Sequence, residues 1–137
     1  MRNTAILIDT EVLRGYLLNN QDEYLYSVSE ILRMCAKGEI LGYYAIHSLT
    51  DLERTIQNWP PDKRRSALQS LCSLLAPAST DSNSIQAAIQ EPGLDSALQA
   101  ACAESANCDF LVTTDLSAFR RSPVPAITPI EFIEIMT

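Results

Sequence analysis

The chain has 137 residues, 47% hydrophobic and 20% charged, which is room for one domain with its own core and too little for a second. That balance excludes a disordered chain, and no apolar run approaches the roughly 20 residues that span a bilayer. The net charge of −7 argues against wholesale wrapping of nucleic acid, although a metal site built from carboxylates would contribute to that charge and be balanced locally by its cation.

Met1-Arg2-Asn3-Thr4 leads into only four apolar residues before Asp9, which is no signal-peptide pattern, and a cytoplasmic protein is expected. Ala5-Ile6-Leu7-Ile8 has the continuous apolar character of a buried parallel strand. Val12, Leu13, Tyr16 and Leu17 recur at helical spacing, and Asn19-Asn20 stops that helix. A second helix carries Leu25, Val28, Leu32 and Cys35 on one face and closes at Lys37-Gly38. Residues 40–46 form the next expected strand. Ser48 opens a helix bearing Leu49, Leu52, Ile56 and Trp59, ended by Pro60-Pro61. A further helix over 63–75 has Leu68, Leu71, Cys72 and Leu75 as its stripe.

The stretch 76–83, rich in Pro, Ser and Thr, is expected to be loop with at most a brief edge strand. A short helix over 85–89 stops before Pro92-Gly93, and Ala97, Leu98, Ala101, Cys102 and Ser105 share one face of the helix that follows. Phe110-Leu111-Val112-Thr113 is a second buried strand and Val124 to Ile127 a last short one, with Pro129 in the first turn of a final helix. Cys35, Cys72, Cys102 and Cys108 contain no Cys-x-x-Cys pair, so buried free thiols are expected in preference to a disulfide or zinc site.

Strands alternating with helices imply an α/β fold of three layers, with a mostly parallel central sheet of four to five strands covered on both faces. Ligands in such sheets bind beyond the carboxyl ends of the strands, and both strongly apolar strands here end in or beside an aspartate, Asp9 and Asp115. Asp51 lies in the first turn after the second strand and Asp95 at the start of the helix after Pro92-Gly93. Each helix acid also has an ordinary structural role, Asp51 in a cap with Ser48 and Asp95 as an N-cap. Asp9 is different, because a carboxylate flush against four apolar residues costs desolvation unless something pairs with it. No basic residue is its evident partner, and a hard cation would serve.

Ile6-Leu7-Ile8-Asp9-Thr10-Glu11-Val12-Leu13 resembles the opening of the PIN-domain family. The segment 97–103, then Cys108-Asp109-Phe110-Leu111-Val112-Thr113-Thr114-Asp115 with Phe119, is similar to that family's second half, and Pro125 to Phe132 to its last strand and helix. The resemblance spans nearly the whole chain, 1–137 as a single domain. It implies a Mg²⁺- or Mn²⁺-dependent endoribonuclease cleaving single-stranded RNA, as in the VapC-type toxins that pair with an antitoxin. It also implies that Asp9 and Asp115 hold the metal directly, while Asp51 and Asp95 bind it or orient water, with Glu53 as the alternative to Asp51.

The family's third acid falls at Ser96, one residue after Asp95, a shift of about 100° around a regular helix. Ser96 with Gln99 also has the form of a capping box. Glu11 stands where the family usually has Asn, and Thr114 where Arg is common. A second reading therefore stands beside the nuclease, a catalytically degenerate PIN-like module that binds RNA or protein.

Arg14, Lys63-Arg64-Arg65 and Arg120-Arg121 are the candidate RNA contacts, the triplet being favoured as a solvated helix face. His47, Tyr43, Tyr44 and Trp59 are expected in structural or packing roles. Trp59, Tyr24 and Tyr26 are aromatics that a small core need not bury, which suggests a homodimer.

Overall fold

The computed structural model describes residues 2–137, and its elements follow the expected alternation. They are β1 (Ala5–Ile8), α1 (Thr10–Leu17), α2 (Leu25–Ala36), β2 (Leu41–Ala45), α3 (Ser48–Thr55), α4 (Pro61–Leu74), β3 (Ala76–Ala78), α5 (Ser82–Ile89), α6 (Leu94–Ser105), β4 (Phe110–Val112), a 3-10 turn over Leu116–Phe119, β5 (Ala126–Ile127) and α7 (Pro129–Met136). All five strands are parallel, in the order β3-β2-β1-β4-β5.

β1 is central, and its fully buried residues alternate between two cores as the pleat requires. Ile6 and Ile8 face α1, α2, α3, α4 and α7, meeting Leu13, Ile31, Leu52, Leu71 and Phe132. Ala5 and Leu7 face α6 and the 3-10 turn, meeting Ala100, Cys102, Ala103 and Phe119. The second core is built largely of small residues, which lets α6 lie close against the sheet; α5 packs outside it against α6.

The terminators act through their backbone chemistry. Asn19 (φ 54°) follows α1 and Gly38 (φ 72°) follows α2, both in the left-handed region that Gly and Asn tolerate best. Gly38 N donates to Cys35 O and Glu39 N to Met34 O, so the carbonyls at the end of α2 are satisfied. α7 starts with Pro129 and a full capping box between Thr128 and Glu131. At Gly42 in β2, a Cβ would come within 2.6 Å of Cys35 Sγ and Leu75 Cδ2, so only glycine lets α2 and α4 approach this strand.

Several boundaries differ from expectation. Pro60-Pro61 opens α4 as well as ending the region before it, because proline at the first helical position gives up an N–H that has no partner there. α3 stops at Thr55, and Ile56 to Trp59 form turns. β5 is limited to Ala126–Ile127. Cys102 and Cys108 are buried and Cys35 half-buried, but Cys72 is exposed, against the expectation for all four. It lies at the edge of the α4 stripe, its sulfur 3.4 Å from Tyr44 Oη. Burial pushes the Cys35 thiol up to about 11 and that of Cys108 up to about 12, so both are poor nucleophiles.

Candidate functional site

The chain leaves β1 towards β2 and β3 on one side, and β4 with β5 lies on the other. The gap between the carboxyl ends of β1 and β4 is therefore the switch point at which sheets of this class hold ligands. Asp9 follows β1 directly, and Thr113 and Asp115 follow β4. The N-terminus of α6 brings Asp95 and Gln99 to the same place.

Asp9 is 3% exposed and caps α1 while remaining inside the protein. Thr113 Oγ1 donates to its Oδ2 at 2.8 Å, and Gln99 Nε2 donates to its Oδ1 at 3.0 Å. A longer contact from Glu11 N reaches the same Oδ1 at 3.4 Å. The second proton of the Gln99 amide goes to Asp95 Oδ2 at 2.9 Å, so a single side chain ties the two carboxylates together. Gln99 Oε1 accepts from Thr10 N at 3.1 Å. Thr113 Oγ1 in turn accepts from Asp115 N at 3.0 Å, which links the third acid to the first through one hydroxyl. Asp115 is exposed and accepts from Ser117 Oγ and Ala118 N.

His47 completes the cluster, its Nε2 lying 3.0 Å from Asp95 Oδ1. The Asp95 carboxylate, followed by Cys102, holds the imidazole up at about 9, and His47 in turn keeps Asp95 below the usual carboxylate range. Asp9 moves the other way. Burial raises it, the bonds from Thr113 and Gln99 oppose that, and the charges of Asp95 and Asp115 add to the rise. The charges of Asp95 and Asp115 thus both reach Asp9 across the switch point.

A family model described as a PIN domain matches residues 5–117. The chain belongs to the PIN-domain family. No curated protein sequence matches it. Among solved structures, this PIN domain is similar to VapBC2 from Rickettsia felis bound to a promoter DNA fragment, at 16% identity and a TM-score of 0.67, over 91% of this chain and 98% of the other. It is similar to FitAcB from Neisseria gonorrhoeae at 21% and 0.63, over 91% and 98%. It is also similar to VapBC-1 from nontypeable Haemophilus influenzae at 13% and 0.64, over 93% and 99%. The parallel sheet with helices on both faces is the PIN-like fold of these neighbours.

The structure brings Asp9, Asp95 and Asp115 together and leaves Asp51 at the margin. Asp51 pairs with Arg54 at 2.9 Å, and its charge is not among those that act on Asp9. It lies one helical turn from Ser48, whose hydroxyl shares a hydrogen bond with Thr10 beside Asp9, so it stays on the side of α3 that looks towards the PIN-domain site. It makes no cap with Ser48, because His47 is the N-cap of α3. Glu53 is exposed. Asp95 is the second residue of α6 and not its cap, which is Gly93. Ser96 Oγ turns back to Gly93 O at 3.3 Å, and the expected capping box with Gln99 is absent.

Gln99 is the residue sequence reasoning missed. Of the face expected to pack (Ala97, Leu98, Ala101, Cys102 and Ser105) only Cys102 is buried; the helix is rotated, and Gln99, Ala100 and Ala103 go inward with it. An alanine-rich helix gives weak apolar contrast, so the polar bonds to Asp9 and Thr10 fix its rotation. The spacing of Asp95 and Gln99, four residues apart, was the available signal, since such pairs meet on a helix surface. Asp9 likewise has a partner, but it is an amide and a hydroxyl in place of a basic residue.

Arg14 pairs with Glu11, donates to Thr55 Oγ1, and contributes to the lowering of Asp95, which places a cation beside the site. Lys63 lies over the Trp59 ring at 4.5 Å, Arg64 bonds Gln57 O and Arg65 pairs with Asp62, so this triplet is engaged locally on α4. Arg120 and Arg121 line a cavity of about 480 Å³ between α5, α6 and the 3-10 turn.

As the side chains stand, no group of three or more His, Cys, Asp or Glu among the described residues could hold a metal ion. The donor set nonetheless suits Mg²⁺ or Mn²⁺. It is all oxygen, the acids lack a basic counterion on Asp9, and a cation that keeps several waters needs only a loose set of carboxylates.

Proposed function

We propose that this PIN domain is a Mg²⁺- or Mn²⁺-dependent endoribonuclease that hydrolyses single-stranded RNA. The observation that carries this reading is the convergence of Asp9, Asp95 and Asp115 on the carboxyl ends of β1 and β4, with a buried carboxylate that has no cationic partner. Asp9, Asp95 and Asp115 would hold the cation, with Asp51 as the outer acid. When bound, such a cation lowers the pKa of an attacking water and offsets the charge that builds on the phosphate. Asp9 is held in place by Thr113 and Gln99, and Asp95 by Gln99 and His47. Arg14 supplies positive charge for the RNA backbone in a protein of net charge −7, and Arg120 is a second candidate contact.

The VapBC and FitAB neighbours support a toxin role with an antitoxin-like protein as partner, and a cytoplasmic location belongs to this proposal. No helix among the described residues is long and apolar enough to cross a membrane. A homodimer is part of the same proposal. Tyr26 is 73% exposed at the start of α2, whereas Trp59 lies under Lys63 and Tyr24 packs against the core, so Tyr26 is the aromatic left for an interface.

The degenerate-module reading draws on one observation, that the Gln99 amide already bridges two of the acids. RNA cleavage separates the two. The nuclease reading expects cleavage of a single-stranded RNA with Mn²⁺, its abolition by EDTA and its loss in Asp9→Asn. Binding of RNA without metal-dependent cleavage supports the module.

A further inference from the structure

Gln99 is fully buried, and each polar atom of its carboxamide is committed. Nε2 gives its two protons to Asp9 Oδ1 and Asp95 Oδ2, at 3.0 and 2.9 Å, and Oε1 accepts from Thr10 N at 3.1 Å. The amide cannot be turned over, because its carbonyl would then face two carboxylates and an N–H would face the Thr10 N–H. Asp9 Oδ2 is meanwhile taken by Thr113, and among the described residues no buried side-chain nitrogen or oxygen lacks a partner. The two acids are thus held together by a neutral donor.

We propose that Gln99 is a positioning residue that stands in for the cation, binding Asp9 and Asp95 in the metal-free protein and competing with a divalent cation for the same oxygens. This rests on the reading of Asp9 and Asp95 as metal ligands. A cation that takes both oxygens competes with the N–H···O⁻ bonds, and an amide on a side chain as buried as Gln99 has few alternative acceptors once one is lost. The residue therefore stabilises the metal-free fold and weakens metal binding. A purely structural glutamine would do only the first.

The opposite signs make the test. In Gln99→Met the side chain keeps its length and loses its donors. Urea unfolding in EDTA is expected to show a lower midpoint than wild type, while Mn²⁺ calorimetry shows binding about tenfold tighter or more, the scale of one hydrogen bond to a charged group. Gln99→Glu serves as the second variant should the methionine protein fail to fold. It replaces the donors with another carboxylate, so its metal-free stability falls at neutral pH and Mn²⁺ restores it. Mn²⁺ binding that is equal or weaker in both variants overturns the proposal and leaves the metal reading intact. No Mn²⁺ uptake by any of the three proteins overturns the metal reading and this proposal with it.

Discussion

Thr113→Val removes one hydroxyl and almost no volume, so its effect reports the network around Asp9 without a cavity. The hydroxyl makes two bonds, donating to Asp9 Oδ2 at 2.8 Å and accepting from Asp115 N at 3.0 Å. The first goes to a buried carboxylate and is worth about 1.5–3 kcal/mol, and the second is a neutral bond of about 0.5–1.5 kcal/mol. Asp115 is exposed, so water recovers part of the second. A loss of about 2–4 kcal/mol is expected, which for 137 residues is a fall in Tm of roughly 6–12 °C. Urea unfolding in EDTA at pH 8 measures it, with the m-value unchanged. Burial raises Asp9, and the deficit should shrink as the pH falls through its folded pKa, where the bond becomes one between neutral groups. A deficit under about 0.5 kcal/mol, the scale of an ordinary surface change, would refute the reasoning. A deficit that stays the same from pH 8 down through the protonation of Asp9 would show that the hydroxyl does not serve an ionised carboxylate.

Two further outcomes concern His47 and Tyr26. Asp95 holds His47 up at about 9, above its ordinary 6.5, so the pair stabilises the fold fully below about pH 6.5 and loses that contribution as the pH rises through about 9. The stability advantage of wild type over His47→Gln in EDTA should therefore shrink across that window, and an advantage that grows with pH would invert the assignment. Light scattering at tens of micromolar should give a dimeric mass that falls towards monomer in Tyr26→Ala; a monomeric wild type would count against the interface.

Much of the fold was legible because hydrophobic continuity and backbone punctuation are local. The run Ala5 to Ile8 has the continuous apolar character of a doubly buried strand, and Asn19, Gly38 and Pro129 act through their own φ preferences wherever they stand. The position of Asp9 at a strand exit was equally plain. The rotation of α6 was not, because its faces differ in hydrogen bonding more than in apolarity: Gln99 goes inward to meet Asp9, ninety residues earlier in the chain. That long-range bond also separates the surroundings of Asp95 and Ser96. A register count along the family pattern favoured Ser96, but the start of α6 at Gly93 turns Asp95 towards Gln99 and Ser96 back towards the Gly93 carbonyl. Asp51 looked equivalent to Asp95 in sequence, each acid lying in a first helical turn, yet Asp51 takes Arg54 within its own helix.

The most direct test of the account is Mn²⁺ calorimetry on wild type, Asp9→Asn, Asp51→Asn, Asp95→Asn and Ser96→Asp. If Asp9, Asp95 and Asp115 form one cation site, wild type binds Mn²⁺ and Asp9→Asn removes most of that binding. Asp95→Asn should weaken it by about 5- to 150-fold, the equivalent of roughly 1–3 kcal/mol for a charge-bearing ligand. Asp51→Asn should cost less, and Ser96→Asp should not strengthen binding. An Asp9→Asn protein that binds Mn²⁺ as tightly as wild type, or a Ser96→Asp protein that binds it more tightly, would contradict the account.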